Sequence, residues 1–161
     1  MEGDVKLVRS EPDRMEEMYV ALKRAEEAHG HLCPFLALGV RTALIGIREL
    51  GAKGANEDLR VTLMLQNAAS YPCLIDGIQL TTKCTIGNKK LRFMNSSGIA
   101  AKFELPNKEP VTVAVNPASF DRLIGTMNKV MSGKATSEEF QQLVKFVVSM
   151  PEKELFIIRK K

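Results

Sequence analysis

Residues 29–50 read HGHLCPFLALGVRTALIGIREL and join a cluster of polar donors to a long apolar segment. The proline after Cys33 favours the first position of a helix, and apolar side chains then recur at helical spacing as far as Leu50. Gly51 is a typical residue for the end of such a helix. The stretch therefore predicts a buried helix over residues 34–50 with Cys33 as its N-cap. Because a helix begins at the positive end of its dipole, we expect the Cys33 thiol to favour its ionised form.

The first five residues of this stretch carry unusual chemistry for so short a segment. They include both histidines of the 161-residue chain and one of its three cysteines. Imidazole nitrogen and thiolate sulfur are the ligands that zinc, iron, nickel and copper bind. His31 and Cys33 are two residues apart, so their side chains converge if the backbone between them is extended. We therefore interpret this segment as the start of a metal site.

Helices on both sides of a run of strands predict an α+β protein. The first helix is expected over residues 13–28, with His29 next on its apolar stripe. Three central strands with short connections suit an antiparallel meander. The remaining segments are a strand over 59–65, a helix over 73–81, strands over 91–95, 101–105 and 111–115, helices over 117–131 and 136–149, and a strand over 155–158.

Composition excludes several classes of protein. The chain is 45% hydrophobic with a net charge of +4, and its basic residues do not form a stripe interleaved with aromatics, so we expect no nucleic-acid partner. It has no apolar run long enough for a membrane span and no secretory signal, which favours the cytoplasm. Three cysteines do not suggest a disulfide framework.

Three motifs resemble the signature of the E-subunit family of formylmethanofuran dehydrogenase. They are HGHLCP at 29–34, CLIDGIQ at 73–79 and TKCTIGN at 82–88, and the resemblance covers about residues 15–150. It implies one domain over residues 1–161, in which helices cover a mixed, mostly antiparallel sheet. It also implies a homodimer and a metal site that most often holds zinc. Some members carry a C-terminal zinc ribbon, but this chain has no Cys-x-x-Cys pair to form one.

The resemblance also implies which residues hold the metal. His31, Cys33 and Cys84 are the expected ligands, and Cys73 is a further candidate. Cys84 is otherwise a small buried apolar residue, and Cys73 is otherwise core filler or a neighbour of the ligands. Three ligands with an uncertain fourth suit an open site, with zinc or another divalent transition metal as the ion.

Two further residues are expected to line the same place. His29 is either a ligand or a helix-terminal cation that offsets the dipole. Asp76 either orients a ligand histidine or caps the helix that begins near Cys73. The sequence departs from the family's motifs at Phe35 and Lys83, where the family usually has glycine.

Three functional hypotheses follow. The first is a metal-binding accessory protein that supports a molybdenum or tungsten enzyme or handles a metal or cofactor. The second is an enzyme that uses the ion as a Lewis acid, with His29 or Asp76 as base. The third is a thiol redox protein in which Cys33 and Cys84 form the reactive pair, which requires their sulfur atoms to approach closely.

Overall fold

The chain forms both helices and strands. The computed structural model describes residues 11–52, 58–68, 71–133 and 136–160. The described elements are α1 Glu11–His29, α2 Pro34–Leu50, β1 Arg60–Met64, α3 Pro72–Thr82, β2 Leu91–Met94, β3 Ala100–Glu104, β4 Val111–Val115, α4 Pro117–Met131, α5 Ser137–Ser149, α6 Glu152–Leu155 and β5 Phe156–Lys160. The expected α+β class is confirmed, and most element boundaries lie within two residues of the predicted ones.

The five strands form one mixed sheet in the order β2-β1-β3-β4-β5. β1 pairs with β2 in parallel, and the other three pairs are antiparallel. The expected meander is therefore correct for β3 and β4 but wrong for β2, which lies beside β1 instead of β3. The reason is that α3 connects β1 to β2, and a helical crossover returns the chain in the same direction as the first strand.

α2 packs on the sheet close to β3. A Cβ atom at Gly46 would overlap the ring of Phe103, which is fully buried. The small residue at position 46 thus lets the aromatic ring fill the space between helix and sheet. The buried residues of both elements belong to one continuous hydrophobic core.

α2 and α3 approach each other so closely that only glycine fits between them. A Cβ atom on Gly77 would lie 2.6 Å from the carbonyl oxygen of Leu36, and one on Gly39 would overlap the carbonyl of Leu74. Gly39 is five residues after Pro34 and Gly77 is five residues after Pro72, so the contact brings the N-terminal ends of both helices to the same level. This close packing positions the candidate site.

The C-terminal elements attach to the other side of α2 through two arginines. Arg41 donates to the carbonyl oxygens of Val147 and Met150 at 2.8 and 2.7 Å, near the end of α5. Arg48 donates to both carboxylate oxygens of Glu152 in α6, at 2.8 and 2.6 Å. In the described part of the chain, no helix combines the length and apolar character that a bilayer crossing requires.

Candidate metal centre

Four nitrogen and sulfur donors converge where three helices meet. One ligand atom from each of His29, His31, Cys33 and Cys73 lies within 4.8 Å of the other three. His29 is the last residue of α1, Cys33 is the N-cap of α2, and Cys73 follows the first residue of α3. His31 lies in the turn between α1 and α2. The group therefore depends on the relative placement of all three helices.

The turn at Gly30 directs the two histidines and Cys33 toward one place. Gly30 has φ +107, a conformation that favours glycine, and its N–H donates to the Glu26 carbonyl oxygen at 2.8 Å. Cys33 is extended, with φ −136 and ψ 162. The extended backbone places His31 and Cys33 in the same group, as their spacing predicted.

His29 is held by a carboxylate on the neighbouring helix. Its Nδ1 is 2.6 Å from Asp76 Oδ2, and its Nε2 is 3.3 Å from Cys73 Sγ. The 2.6 Å contact fits an Nδ1–H group that donates to the Asp76 carboxylate. Nε2 then carries no proton, and its lone pair faces the other candidate ligand atoms. The second carboxylate oxygen accepts from Gln79 Nε2 at 3.4 Å. Asp76 was expected either to orient a ligand histidine or to cap α3, and this contact agrees with the first role.

The group is buried on one side and open to solvent on the other. Cys33 is only 4% exposed, whereas His31 is exposed. The His31 ring lies 4.6 Å from the His29 ring, centroid to centroid, and its Nε2 is 3.9 Å from Cys73 Sγ. An ion would therefore enter from the His31 side.

The ionised form expected for Cys33 is wrong for the metal-free chain. Burial raises the pKa of its thiol to about 12, and the adjacent Cys73 thiol adds to the increase. The Leu36 N–H, which donates to Cys33 Sγ at 3.4 Å, acts in the opposite direction but does not offset burial. The N-cap position is confirmed, and a proton must leave the thiol when metal binds.

Cys84 lies outside this group, which corrects its expected role. It is 1% exposed, and its Sγ–H donates to the Leu59 carbonyl oxygen at 3.3 Å. Cys73 lies at the start of α3 and Cys84 just past its end, and the nine helical steps from Cys73 to Thr82 span roughly 14 Å. Because the length of this helix separates them, Cys84 cannot join Cys73 and Cys33. The expected redox pair of Cys33 and Cys84 fails for the same reason.

Comparison with known proteins identifies the family. The model of the FmdE family, described as "Molybdenum formylmethanofuran dehydrogenase operon", matches residues 28–157. This chain belongs to the FmdE family. The matched region contains all four converging donors and most of the described fold.

Two individual proteins resemble this FmdE-family chain. A probable S-adenosyl-L-methionine-binding protein of Archaeoglobus fulgidus is 40% identical over 79 residues, which are 46% of this chain and 20% of that protein. The aligned region thus spans only a fifth of that relative's length. The crystal structure of a tungsten formylmethanofuran dehydrogenase FmdE-like protein from Syntrophus aciditrophicus superimposes with a TM-score of 0.59 at 18% identity, covering 89% of this chain and 71% of that one. This likeness supports the fold.

The donor set of this FmdE-family chain fits a transition metal. Two imidazoles and two thiols match the Cys₂His₂ ligand sets of zinc, and the Asp76–His29 contact resembles the carboxylate–histidine pairs that surround such sites. Both cysteines sit at helix N-termini, where backbone N–H groups stabilise negative sulfur. The sequence predicted three ligands with an uncertain fourth, which suits an open position, and the structure brings four candidate donors together.

The sequence analysis identified Phe35 as a departure from the family's motif but assigned no role to it or to Tyr71, the aromatic residues beside the two cysteines. The ring of Tyr71, two residues before Cys73, lies 5.5 Å from that of Phe35, two residues after Cys33. A signal was present, because each cysteine has a proline on one side and an aromatic next to that proline. The two motifs therefore place a pair of aromatic rings in contact at the N-terminal ends of α2 and α3.

Proposed function

We propose that this FmdE-family chain binds one zinc ion, or another divalent transition metal, through His29, His31, Cys33 and Cys73. The observation that carries the proposal is the convergence of their four donor atoms within 4.8 Å. These donors lie at the ends of three helices and in the turn between two of them, so the fold itself brings them together. With both thiols ionised, the two negative charges neutralise a divalent cation, so the buried group would carry no net charge.

We further propose an accessory role rather than a catalytic one. Four protein ligands complete the tetrahedral shell of zinc and leave no position for a substrate. The exposed side of the group at His31 suits uptake or release of the ion. The family's connection with formylmethanofuran dehydrogenase supports assistance to a molybdenum or tungsten enzyme, or handling of its metal or cofactor. The family resemblance also supports a homodimer, which the light-scattering mass of the purified protein would test.

A Lewis-acid enzyme is the second candidate, and one contact favours it. His29 lies 2.6 Å from Asp76, and such a pair also suits a general base. If His29 acts as base, three ligands remain and the ion keeps an open position, where it would polarise a small substrate. The two proposals therefore differ in whether His29 is a ligand.

Metal analysis of single variants tests both readings. We expect about one zinc per chain in the wild-type protein, as one four-donor site requires. Cys33→Ser and Cys73→Ser should lose most of the zinc, while Cys84→Ser is the matched control and should keep it. Full occupancy in Cys33→Ser or Cys73→Ser would overturn the proposed site.

The variant His29→Ala separates the accessory protein from the enzyme. Loss of zinc in this variant supports four protein ligands. Retention of zinc at full occupancy supports the enzyme, with His29 free to act as base. In either case, circular dichroism should confirm that the variant retains the helices of the wild-type protein.

A further inference from the structure

A cavity opens at the edge of the sheet where β1 and β4 end and β3 begins. Two adjoining compartments of about 200 and 390 Å³ share Gly98, Ile99 and Phe120 in their walls. The smaller compartment also contacts Tyr71 and Gln66, and the larger one extends past Asp121 at the start of α4. No donor of the proposed metal site lines either compartment.

Aromatic rings form one wall of this cavity. Tyr71 and Phe120 have their ring centroids 6.2 Å apart, and Phe35 packs behind both at 5.5 and 6.3 Å. Tyr71 and Phe120 are only partly buried, although aromatic side chains of this size usually fill a core. Phe35, in contrast, is 8% exposed and fixes the other two from behind. Two supported rings thus present surface to an unfilled space.

We propose that this cavity binds a small molecule with a planar aromatic ring that carries an N–H donor. The ring stacks on Tyr71 and Phe120, because flat aromatic groups pack best in offset or edge-to-face arrangements. The N–H donor reaches the Gln66 amide oxygen, which lines the smaller compartment, or the Asp121 carboxylate, which lines the larger one. The larger compartment is mainly apolar and the smaller one has a larger share of polar surface, and apolar walls with a few polar groups are usual in small-molecule sites.

The size of the cavity limits the ligand. The larger compartment, about 390 Å³, lies near the lower end of the range for small-molecule pockets, about 300–1,000 Å³, and the smaller one lies below it. The cavity accommodates one or two fused rings rather than a large cofactor. Its position is nonetheless adjacent to the metal site, because Tyr71 and Phe35 are each two residues from a cysteine of the donor group. The proposal goes beyond metal binding and does not require the ion.

Two simple amides test the need for an aromatic ring. Benzamide carries a flat ring and an N–H donor, while cyclohexanecarboxamide carries the same amide on a saturated ring. The chain has only two tyrosines, Tyr71 in the cavity wall and Tyr19 on α1, which is 51% exposed. In wild-type protein with labelled tyrosine rings, benzamide should shift the NMR signals of Tyr71 and not those of Tyr19. Cyclohexanecarboxamide should bind at least about 3-fold more weakly.

Variants locate the ligand in the cavity. Tyr71→Leu and Phe120→Leu keep apolar bulk but remove one ring each, and each should weaken benzamide binding about 3- to 10-fold in NMR titrations. Tyr19→Leu is the matched control and should bind as the wild-type protein does. The proposal is wrong if Tyr71 does not shift, if both amides bind equally, or if folded Tyr71→Leu binds benzamide unchanged. The wild-type titration decides the question if a variant does not fold.

Discussion

The placement of His29 depends on one carboxylate. Asp76 fixes Nδ1 at 2.6 Å and so directs Nε2 toward Cys73. Carboxylates in this position restrict the rotation of a ligand histidine and increase its basicity. At the scale of single residues, Asp76 is therefore the side chain through which the metal affinity can be changed without removing a donor.

We expect Asp76→Ala to weaken zinc binding about 10- to 100-fold, the range found for partners of ligand histidines. Alanine is well tolerated in a helix, so α3 should persist. Competition with a zinc-binding dye measures the affinity. Gln79→Ala is the control, since Gln79 Nε2 donates to the Asp76 oxygen that does not hold His29, at 3.4 Å. If Asp76→Ala bound zinc as tightly as the wild-type protein, Asp76 would not orient His29 for metal binding.

The structure brings some of the expected ligand residues together and separates another from them, for physical reasons. The spacing of His31 and Cys33 was sufficient because it needs only an extended backbone, which the structure has. The predicted helix over residues 73–81 already implied that Cys73 and Cys84 lie at opposite ends, so Cys84 could have been excluded. The raised pKa of Cys33 was not predictable from its N-cap position, because its main cause is burial, which depends on how the whole fold packs.

At the scale of elements, the contact between α2 and α3 determines where the two cysteines lie. The carbonyl of Leu36 and the amide of Val40 would be 2.6 and 2.9 Å from a Cβ atom on Gly77. Backbone atoms cannot rotate away as side chains can, so added volume must separate the helices. Separation would also move Cys33 away from Cys73.

We expect Gly77→Ala to lower the free energy of unfolding by about 1–3 kcal/mol, the usual cost of overpacking. Urea denaturation measures the change. Gly125→Ala in α4 is the matched control, because a Cβ atom there meets no atom within 4 Å. Because alanine favours a helix more than glycine does, Gly125→Ala should raise the free energy of unfolding by up to about 1 kcal/mol. If both variants were equally stable, the two helices would not be in contact as described.

The contact between α2 and α6 predicts that the stability of the fold depends on pH. Arg48 of α2 holds both oxygens of Glu152 and lowers the pKa of that carboxyl below its ordinary value of 4.5. Because the folded pKa is lower than the unfolded one, the stabilisation is present above pH 4.5 and is lost as the pH falls through the folded pKa. The Arg48–Glu152 ion pair should therefore stabilise the folded protein at neutral pH and not in acid.

We expect Glu152→Gln to lower the free energy of unfolding by about 1 kcal/mol at pH 7, with a smaller difference below pH 4.5. Denaturation at both pH values measures this. Glu104→Gln is the control, since Glu104 and Lys102 are 4.0 Å apart and more exposed, and it should change little at either pH. A Glu152→Gln effect that is as large in acid as at pH 7 would contradict the assigned ion pair.

Strand pairing shows why element order alone did not give the topology. The short connection between β2 and β3 suggested a hairpin, but β3 pairs with β1 and leaves β2 at the edge. The strand–helix–strand order of β1, α3 and β2 contained the signal for a parallel pair. The short connection between β2 and β3 favoured β3 as the neighbour of β2. Packing of α3 on α2 instead places β2 beside β1.

At the scale of the whole molecule, α2 connects the features that matter. Its N-cap is Cys33, its middle packs on α3 and the sheet, and its last turns bind α6 through Arg48. Binding of an ion at one end therefore joins α1, α2 and α3 directly. Any ligand that binds the folded state alone also stabilises it, so zinc should raise the unfolding temperature of the whole chain.

X-ray absorption at the zinc edge tests the four-donor site decisively, because it identifies the atoms bound to the ion. We expect a coordination shell of two sulfur atoms at about 2.3 Å and two nitrogen atoms at about 2.0–2.1 Å in the wild-type protein. The zinc that Cys73→Ser retains should have one sulfur ligand fewer, and Cys84→Ser should give the wild-type spectrum. A shell without sulfur, or a spectrum that Cys73→Ser leaves unchanged, would contradict the four-donor site.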